Sequence, residues 1–361
     1  MGMMRLAVLG AGAVGPGVAA LAASRGHDAT LWSPSGSGST GIHGAIHAEG
    51  VLEGRFPLRV AADLQAALDG ADAAILCVPA YALDALLPRI AAVIPPALPL
   101  LISPAASLAP LVFDALMARH GPARAPVGAL ATTPLGGRRI GPDRVRVAML
   151  RSAVDIAAVP AVAAPRMAAL AQTLFGNDYP IARDALAVAL TGSNPIIHGV
   201  LALTNLTRIE HREAWPQYAM MTEAACRMMA AMDAERAALA AAFDLVVTDL
   251  PTALSRANRI PLAPMHEMAA TIAAGRGAVL GPTELSSRYI MEDVPFGLAF
   301  YLALARQIGM RMPVTEACTI ALEAALGLPL RDNPLTARLD LSALGQALLH
   351  GSNRMDGAHG Q

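Results

Sequence analysis

The chain opens with a strand, a glycine-rich turn and a helix in direct succession, and this arrangement limits the fold strongly. Residues 4–9 form an apolar run typical of a short buried strand, residues 10–15 read Gly-Ala-Gly-Ala-Val-Gly, and residues 16–24 are an alanine-rich stretch that predicts a helix. In a G-x-G-x-x-G turn the glycines allow a tight turn, a close phosphate and close helix–strand packing, while the helix N-terminus attracts anions. We therefore expect a dinucleotide to bind at Gly10, Gly12, Ala13, Val14 and Gly15.

Strand and helix signals alternate through the first half of the chain, as a parallel sheet with helical crossovers requires. Further strands are predicted at 28–32, 73–78, 98–102, 127–130 and 145–150, the last extending the same sheet. After about residue 181 long apolar helices are predicted, most clearly at 184–206, 218–243, 294–308 and 314–326. The expected fold class is α/β, with an N-terminal Rossmann-type doubly wound parallel sheet and a C-terminal all-α domain. The expected boundaries are 1–183 for the dinucleotide-binding domain, 184–350 for the helical domain and 351–361 for a tail.

Ligands of such sheets lie beyond the carboxyl ends of the strands, where the connecting loops converge. This rule places the turn Val78-Pro79-Ala80 beside the cofactor. It also places Thr133, which follows the predicted strand 127–130, beside the cofactor or the substrate.

The residue after the second strand bears on the choice of cofactor. Ser33 stands where an enzyme strictly for NAD usually has an acidic residue that holds the ribose 2′-hydroxyl. A serine does not repel a 2′-phosphate, and the neighbouring serines could hydrogen-bond to one. Against this, no arginine follows at once, and Arg55 is the nearest one downstream. The sequence favours NADP and leaves NAD open.

Composition excludes several function classes. The sequence contains no lysine, so Schiff-base catalysis, a P-loop phosphate site and an ammonium proton donor are excluded. A net charge of −1 with 15% charged residues gives no basic surface for nucleic acid. Prolines interrupt the apolar stretch 86–112, and the first residues lack an apolar leader, so we expect a cytoplasmic protein without a membrane span. The three cysteines are far apart and without metal-ligand spacing, so no metal site is expected.

Two stretches in the helical half place polar residues among apolar ones, at 191–199 and 287–297. A structural explanation is available for each: Asn194 and Asp293 precede prolines as helix caps do, and a lone His198 is more often a hydrogen-bonded core residue. A functional explanation is also available. A hydride-transfer enzyme acting on a carbonyl or imine needs a proton donor that titrates near neutral pH, as histidine does, and a carboxylate can fix its tautomer.

At these residues the sequence resembles the octopine/nopaline (opine) dehydrogenases. The resemblance rests on the glycine turn, on Asn194-Pro195-x-x-His198, and on the motif Arg288-Tyr289-x-x-Glu292-Asp293-Val294-Pro295-Phe296-Gly297. It implies NAD(P)H-dependent reductive condensation of an amino acid with a 2-oxo acid through an imine.

The resemblance also implies roles for individual residues. His198 would be the proton donor and acceptor, Asp293 its partner, and Arg288 a third member that orients the pair or the substrate. Asn194 would line the substrate site, and Arg138, in the predicted loop 132–139, is a further candidate for a substrate carboxylate. The site is expected in the cleft between the two domains.

Two other interpretations stay open. The chain could be a His/Asp dehydrogenase of a simple hydroxy acid, or a nucleotide-binding sensor without catalysis. Related dehydrogenases that share the glycine turn, such as the ketopantoate reductases, rely on a lysine that this chain lacks. A homodimer formed through the apolar helical half is also possible at this stage.

Overall fold

The computed structural model describes residues 2–121, 124–276 and 279–351, and the predicted tail from residue 352 lies outside this part. The chain forms two compact units. The first, here called the sheet unit, runs to Ala189 and takes up the chain again from Arg338; the second, the helical unit, is Leu190–Ala337. The division after 189 falls six residues beyond the boundary expected from the sequence, and residues from Arg338 onward group with the sheet unit instead of the helical one.

The sheet unit contains two sheets within its described residues. Its strands are β1 Arg5–Leu9, β2 Asp28–Trp32, β3 Ala45–Gly50, β4 Gly54–Pro57, β5 Arg59–Val60, β6 Ala73–Leu76, β7 Leu100–Ile102, β8 Val127–Leu130, β9 Leu135–Arg139, β10 Arg144–Leu150 and β11 Ile156–Val159. The main sheet has the order β11-β8-β7-β6-β1-β2-β5 and is parallel except for β11. Every residue of β6, β7 and β8 is buried, as expected of central strands covered on both faces. The predicted Rossmann-type sheet is confirmed.

The second sheet was not expected. It has the order β4-β3-β10-β9, with β10 parallel to β3 and antiparallel to β9. The prediction that 145–150 extends the main sheet is therefore wrong. Alternating burial along β10 shows one covered face, whereas the main sheet is covered on both. The predicted loop 132–139 is likewise mostly strand β9.

Helices cover the sheets of the first unit. They are α1 Gly15–Ser24, α2 Leu64–Leu68, α3 Leu83–Ala91, α4 Ala109–Ala118, α5 Ala164–Phe175, most of α6 Ala185–Thr191, and α15 Leu344–His350. Leu344 and Leu348 of α15 are buried. Near the start of this C-terminal segment, Arg338 Nε lies 2.6 Å from Asp84 Oδ1 of α3.

The helical unit is all-α in its described residues, as predicted. Its helices are α7 Asn194–Thr204, α8 Leu206–Glu210, α9 Glu223–Ala241, α10 Leu250–Asn258, α11 Met265–Arg276, α12 Arg288–Met291, α13 Ala299–Gln307 and α14 Pro313–Leu326. Two predicted long helices are interrupted: α6 and α7 are separate, and a π-helical turn, Val294–Leu298, precedes α13. π-Helical turns of this kind are frequent at functional sites.

One apolar stretch meets the length and hydropathy of a membrane span. Among the described residues it is Ala185–Thr204, with 20 residues and a mean hydropathy of 1.5, and half of it is buried inside the protein. A core helix of a soluble protein meets the same criterion, so the stretch is weak support for a membrane location.

Candidate active site

The glycine turn after β1 has the close packing that the sequence predicts. A Cβ at Gly10 would lie 2.3 Å from the carbonyl oxygen of Cys77, and one at Gly15 would lie 1.7 Å from that of Gly10. Gly12 differs, because no described atom lies within 4 Å of its Cβ position. No side chain caps α1 and its first turn has no acidic residue. The open face at Gly12 and the uncapped helix N-terminus fit a dinucleotide pyrophosphate.

The loop after β2 folds back onto this turn. Ser33 is buried, and its Oγ accepts a hydrogen bond of 3.1 Å from the Gly38 amide. Arg139, at the end of β9, donates to the carbonyl oxygens of Ala11, at 3.0 Å, and Gly38. Among the described residues Arg139 has no carboxylate partner, so it brings an uncompensated positive charge to the glycine turn. Sequence reasoning missed Arg139 and proposed Arg138 beside it.

Of the remaining candidates of the sheet unit, the turn 78–80 and Thr133 follow the main-sheet strands β6 and β8, whereas Arg138 lies on β9 of the second sheet. Val78 contacts the Gly10 position and leads into a short 3₁₀ turn that begins at Ala80. The Thr133 hydroxyl donates to the Leu135 carbonyl at 2.7 Å, so this hydroxyl is engaged within the chain. Arg138 is exposed on β9, paired opposite Arg146.

In the helical unit the structure joins two of the predicted catalytic residues. His198 Nδ1 of α7 lies 2.8 Å from Asp293 Oδ2, although 95 residues separate them. The side chains are 5% and 12% exposed, so water competes little for this contact. Asp293 does not cap the π-helical turn that follows it. Its carboxylate is committed to His198 instead, which removes the structural explanation offered by its position before Pro295.

Close packing of backbone brings these two residues together. A Cβ at Gly297 would lie 2.3 Å from Pro195 Cγ, and one at Gly199 would lie 2.7 Å from Leu298 Cδ1. Only glycine allows α7 and the π-helical turn to approach this closely. Because His198 adjoins Gly199 and Asp293 directly precedes the turn, this contact sets the distance between imidazole and carboxylate.

A third side chain completes the arrangement around His198. The Tyr289 ring stacks on the imidazole with ring centroids 3.6 Å apart and planes 10° from parallel. The Tyr289 hydroxyl donates to Gln217 Oε1, and both side chains are buried. Burial raises the pKa of Tyr289 well above its usual range, so the hydroxyl stays protonated. Sequence reasoning named Tyr289 only as part of a motif and did not single out Gln217.

The other two candidates of this unit lie at helix starts. Arg288 is the first residue of α12 and is exposed, without an ion pair to Asp293 among the described residues. Asn194 is the first residue of α7, also exposed, and lies one turn before His198. The structure thus brings His198 and Asp293 into contact and leaves both Arg288 and Asn194 accessible to a ligand.

No group of three or more His, Cys, Asp or Glu side chains placed to hold a metal ion occurs in the described part of the chain. The three cysteines are free and buried.

Comparison with known proteins agrees with this geometry. A family model described as the α-helical domain of NAD/NADP octopine/nopaline dehydrogenases matches residues 181–326, and one for the N-terminus of NAD-dependent glycerol-3-phosphate dehydrogenase matches residues 5–104. An opine dehydrogenase from Arthrobacter sp. (strain 1C) is 28% identical over 350 residues, which cover 94% of this chain and 96% of the relative.

Solved structures show the same fold. An octopine dehydrogenase with NADH and L-arginine has a TM-score of 0.76 at 17% identity, covering 95% of this chain and 98% of the other. A yersinopine dehydrogenase with NADP⁺ bound has a TM-score of 0.72 at 17% identity, with the same coverage. Along nearly its whole length the chain is therefore similar to the opine dehydrogenases, and it is an NAD(P)-dependent oxidoreductase acting on CH–NH groups.

Proposed function

We propose that this enzyme joins the amine of an amino acid to the keto carbon of a 2-oxo acid and reduces the resulting imine, with His198 as proton donor and acceptor. The observation that carries the proposal is the buried 2.8 Å contact between His198 Nδ1 and Asp293 Oδ2. In a chain without lysine, this pair has the chemistry that the reaction needs. A nucleotide-binding sensor would have no use for it.

The contact assigns the two imidazole nitrogens different tasks. Nδ1–H donates to the Asp293 carboxylate, which fixes the tautomer and leaves Nε2 for the substrate. The imine nitrogen gains one proton as it becomes a secondary amine, and His198 Nε2 gives that proton. In the oxidative direction Nε2 takes it back, and Asp293 stabilises the imidazolium formed. The nicotinamide cofactor, when bound, supplies the hydride to the imine carbon.

Substrate carboxylates need a cation, and we assign this task to Arg288. Its guanidinium is exposed and not engaged by Asp293, so its planar fork can bind a carboxylate through two hydrogen bonds. Asn194, one helical turn before His198, is proposed to contact the substrate from α7. Thr133 and Arg138 remain proposed substrate contacts with less support, since the Thr133 hydroxyl is engaged by Leu135 and Arg138 lies exposed on β9.

For the cofactor we propose the glycine turn, Ser33 and the turn Val78-Pro79-Ala80 as the binding residues. NADP is the preferred form in this proposal. Ser33 carries no charge to repel a 2′-phosphate, and Arg139 adds a positive charge where the loop after β2 meets the glycine turn. The loop residues 33–40 contain no acidic side chain.

The test is oxidation of NADPH and NADH by the wild type against amino acids crossed with pyruvate, 2-oxoglutarate and glyoxylate, repeated with His198→Ala. We expect oxidation that requires both an amine and an oxo acid. The variant should lose about 10²- to 10⁴-fold in turnover while cofactor affinity, followed by nicotinamide fluorescence, is unchanged. Oxidation with the oxo acid alone would favour the hydroxy-acid dehydrogenase, and full turnover by the variant would refute the role of His198.

A cytoplasmic location and a homodimer are also part of the proposal. Three free, buried thiols suit a reducing compartment. Light scattering of the purified enzyme decides the oligomeric state.

A further inference from the structure

Asp293 alone does not fix the orientation of the His198 imidazole. A single hydrogen bond from Nδ1 still allows concerted rotation about the two side-chain torsions of His198, and this rotation would swing Nε2 away from a substrate while Nδ1 stays near the carboxylate. The stacked ring of Tyr289 blocks that rotation, because the two planes are 3.6 Å apart and within 10° of parallel. The imidazole therefore has one contact at its edge and one across its face.

The Tyr289 ring is itself held from its far end. Its hydroxyl donates to Gln217 Oε1. The backbone N–H of Gln217 in turn donates to the Val279 carbonyl at 2.8 Å. Trp215 links the same two segments, residues 215–217 and 279–282. Its Nε1 donates to the Pro282 carbonyl at 2.9 Å, and its own carbonyl accepts from the Gly281 amide at 2.9 Å. Gln217, which holds the Tyr289 hydroxyl, is thus itself fixed by backbone hydrogen bonds between two segments of the chain.

Resting on the proposed function of His198, we propose that Tyr289 and Gln217 are positioning residues. Gln217 anchors the Tyr289 hydroxyl, and the Tyr289 ring sets the plane of the imidazole so that Nε2 points to the substrate while Nδ1 stays on Asp293. The hydroxyl takes no part in proton transfer, because it remains protonated and is occupied by Gln217. The flat ring, not the phenol, is what the reaction requires.

The experiment compares Tyr289→Phe, which keeps the ring, with Tyr289→Leu, which removes it. For Tyr289→Leu we expect kcat to fall by about 10- to 100-fold, because a displaced catalytic group is costly, with KM for both substrates and affinity for NADPH little changed. Tyr289→Phe should stay within about fivefold of wild type. In proton NMR of histidine-labelled protein, the ring current of Tyr289 should shield the His198 ring protons, and this shielding should persist in Tyr289→Phe and disappear in Tyr289→Leu.

Phe300→Leu is the matched control, since Phe300 is a buried aromatic of the same unit and its described ring contact is with Tyr301, not His198. It should lose thermal stability and keep its kcat. The proposal is overturned if Tyr289→Leu keeps the kcat of the wild type or if Tyr289→Phe is as impaired as Tyr289→Leu. It is also overturned if the ring-proton signals of His198 in Tyr289→Leu stay where they are in the wild type.

Should Tyr289→Leu not fold, Gln217→Leu provides the second test. Gln217→Leu removes the same hydrogen bond as Tyr289→Phe. The double variant with Gln217→Leu and Tyr289→Phe should therefore lose no more kcat than the more impaired of the two single variants. Additive losses would contradict a shared role. Failure of the proposed function is distinguishable: His198→Ala would then retain turnover, while the NMR comparison would still show whether the Tyr289 ring lies against the His198 imidazole.

Discussion

At the scale of single residues, the proposed task of Asp293 is to hold and polarise His198. Asp293→Asn keeps the shape of the side chain and removes its charge. We expect kcat to fall by about 10²- to 10⁴-fold, because the amide neither stabilises the imidazolium nor enforces the tautomer that leaves Nε2 for the substrate. Steady-state kinetics at saturating NADPH measures this. A variant with wild-type kcat would show that His198 works without its partner.

Ser33 offers a test of cofactor choice. Ser33→Asp places a carboxylate where NAD-specific enzymes hold the ribose hydroxyls. We expect the ratio of kcat/KM for NADPH over NADH to fall by at least about tenfold, the equivalent of about 1.4 kcal/mol, through repulsion of the 2′-phosphate. An unchanged ratio in Ser33→Asp would place the 2′-phosphate elsewhere.

The buried thiols predict a pH dependence of stability. Burial raises the pKa of Cys77 and Cys318 to about 12 and that of Cys226 to about 11, from a usual 9.0. Below about pH 9 the thiols are protonated in both the folded and the unfolded chain. As the pH rises above 9 only the unfolded thiols ionise, so the free energy of unfolding should decrease. Urea titrations from pH 8 to pH 10.5 measure this free energy of unfolding. In a Cys77→Ala variant the free energy of unfolding should decrease less over the same pH range.

Some of the site could be predicted from the sequence and some could not. The contact of His198 with Asp293 was expected because both residues lie in motifs that resemble one family. The neighbours Arg138 and Arg139 could not be told apart, because successive side chains of a strand point to opposite faces and the strand itself was not expected. The stacking of Tyr289 on His198 joins residues 91 positions apart, which no local pattern reveals.

At the scale of elements, the crossing of α7 with the π-helical turn depends on Gly297. Gly297→Ala would place a methyl group 2.3 Å from Pro195 Cγ. We expect a loss of about 1–3 kcal/mol in unfolding free energy, together with a lower kcat, because the shift separates His198 from Asp293. Gly345→Ala in α15 is the control, since nothing described lies within 4 Å of its Cβ position. That variant should be as stable as wild type or more so.

The helix α9 carries a buried ion pair that organises the helical unit. Arg236 is fully buried and donates to Asp233, to the Leu190 carbonyl at 2.6 Å and to the Thr248 carbonyl at 2.8 Å. Arg236→Met leaves the Asp233 carboxylate buried without its cationic partner, with the Leu250 amide still donating to it, so we expect a loss of about 3–5 kcal/mol by chemical denaturation.

Arg227 on the same helix provides the contrast. Its ion pair with Glu223 is 67% exposed on both sides. Arg227→Met should therefore change the unfolding free energy by no more than about 0.5 kcal/mol. Equal effects in the two variants would mean that burial of the pair is not what matters.

Helix and strand limits followed the sequence where apolar runs are long. The strands β3, β4 and β9 were missed because they are short, include glycines and expose one face, so they lack a continuous apolar signal. The predicted helix at 184–206 is two helices, since α6 ends at Thr191 and α7 begins at Asn194 with Pro195 in its first turn. The π-helical turn has no sequence signature beyond its proline and glycine.

At the scale of the whole molecule, the order of segments along the chain differs from the simple succession that the sequence suggested. Composition and periodicity distinguish a sheet-forming half from a helical half, and the structure contains both a sheet unit and a helical unit. They do not show that the chain returns to the first unit at its end, because α15 is a short amphipathic helix that either unit could bury. The burial of Leu344 and Leu348 and the ion pair of Arg338 with Asp84 support the assignment of this segment to the sheet unit.

This return has a consequence for dividing the gene. The helical unit is one uninterrupted coding segment, Leu190–Ala337, whereas the sheet unit is encoded in two pieces on either side of it. A stop codon after Ala189 would remove α15 and uncover apolar surface on the part that remains. A soluble nucleotide-binding fragment would therefore need residues 2–189 joined through a linker to residues 338–351, and the linker would replace the entire helical unit.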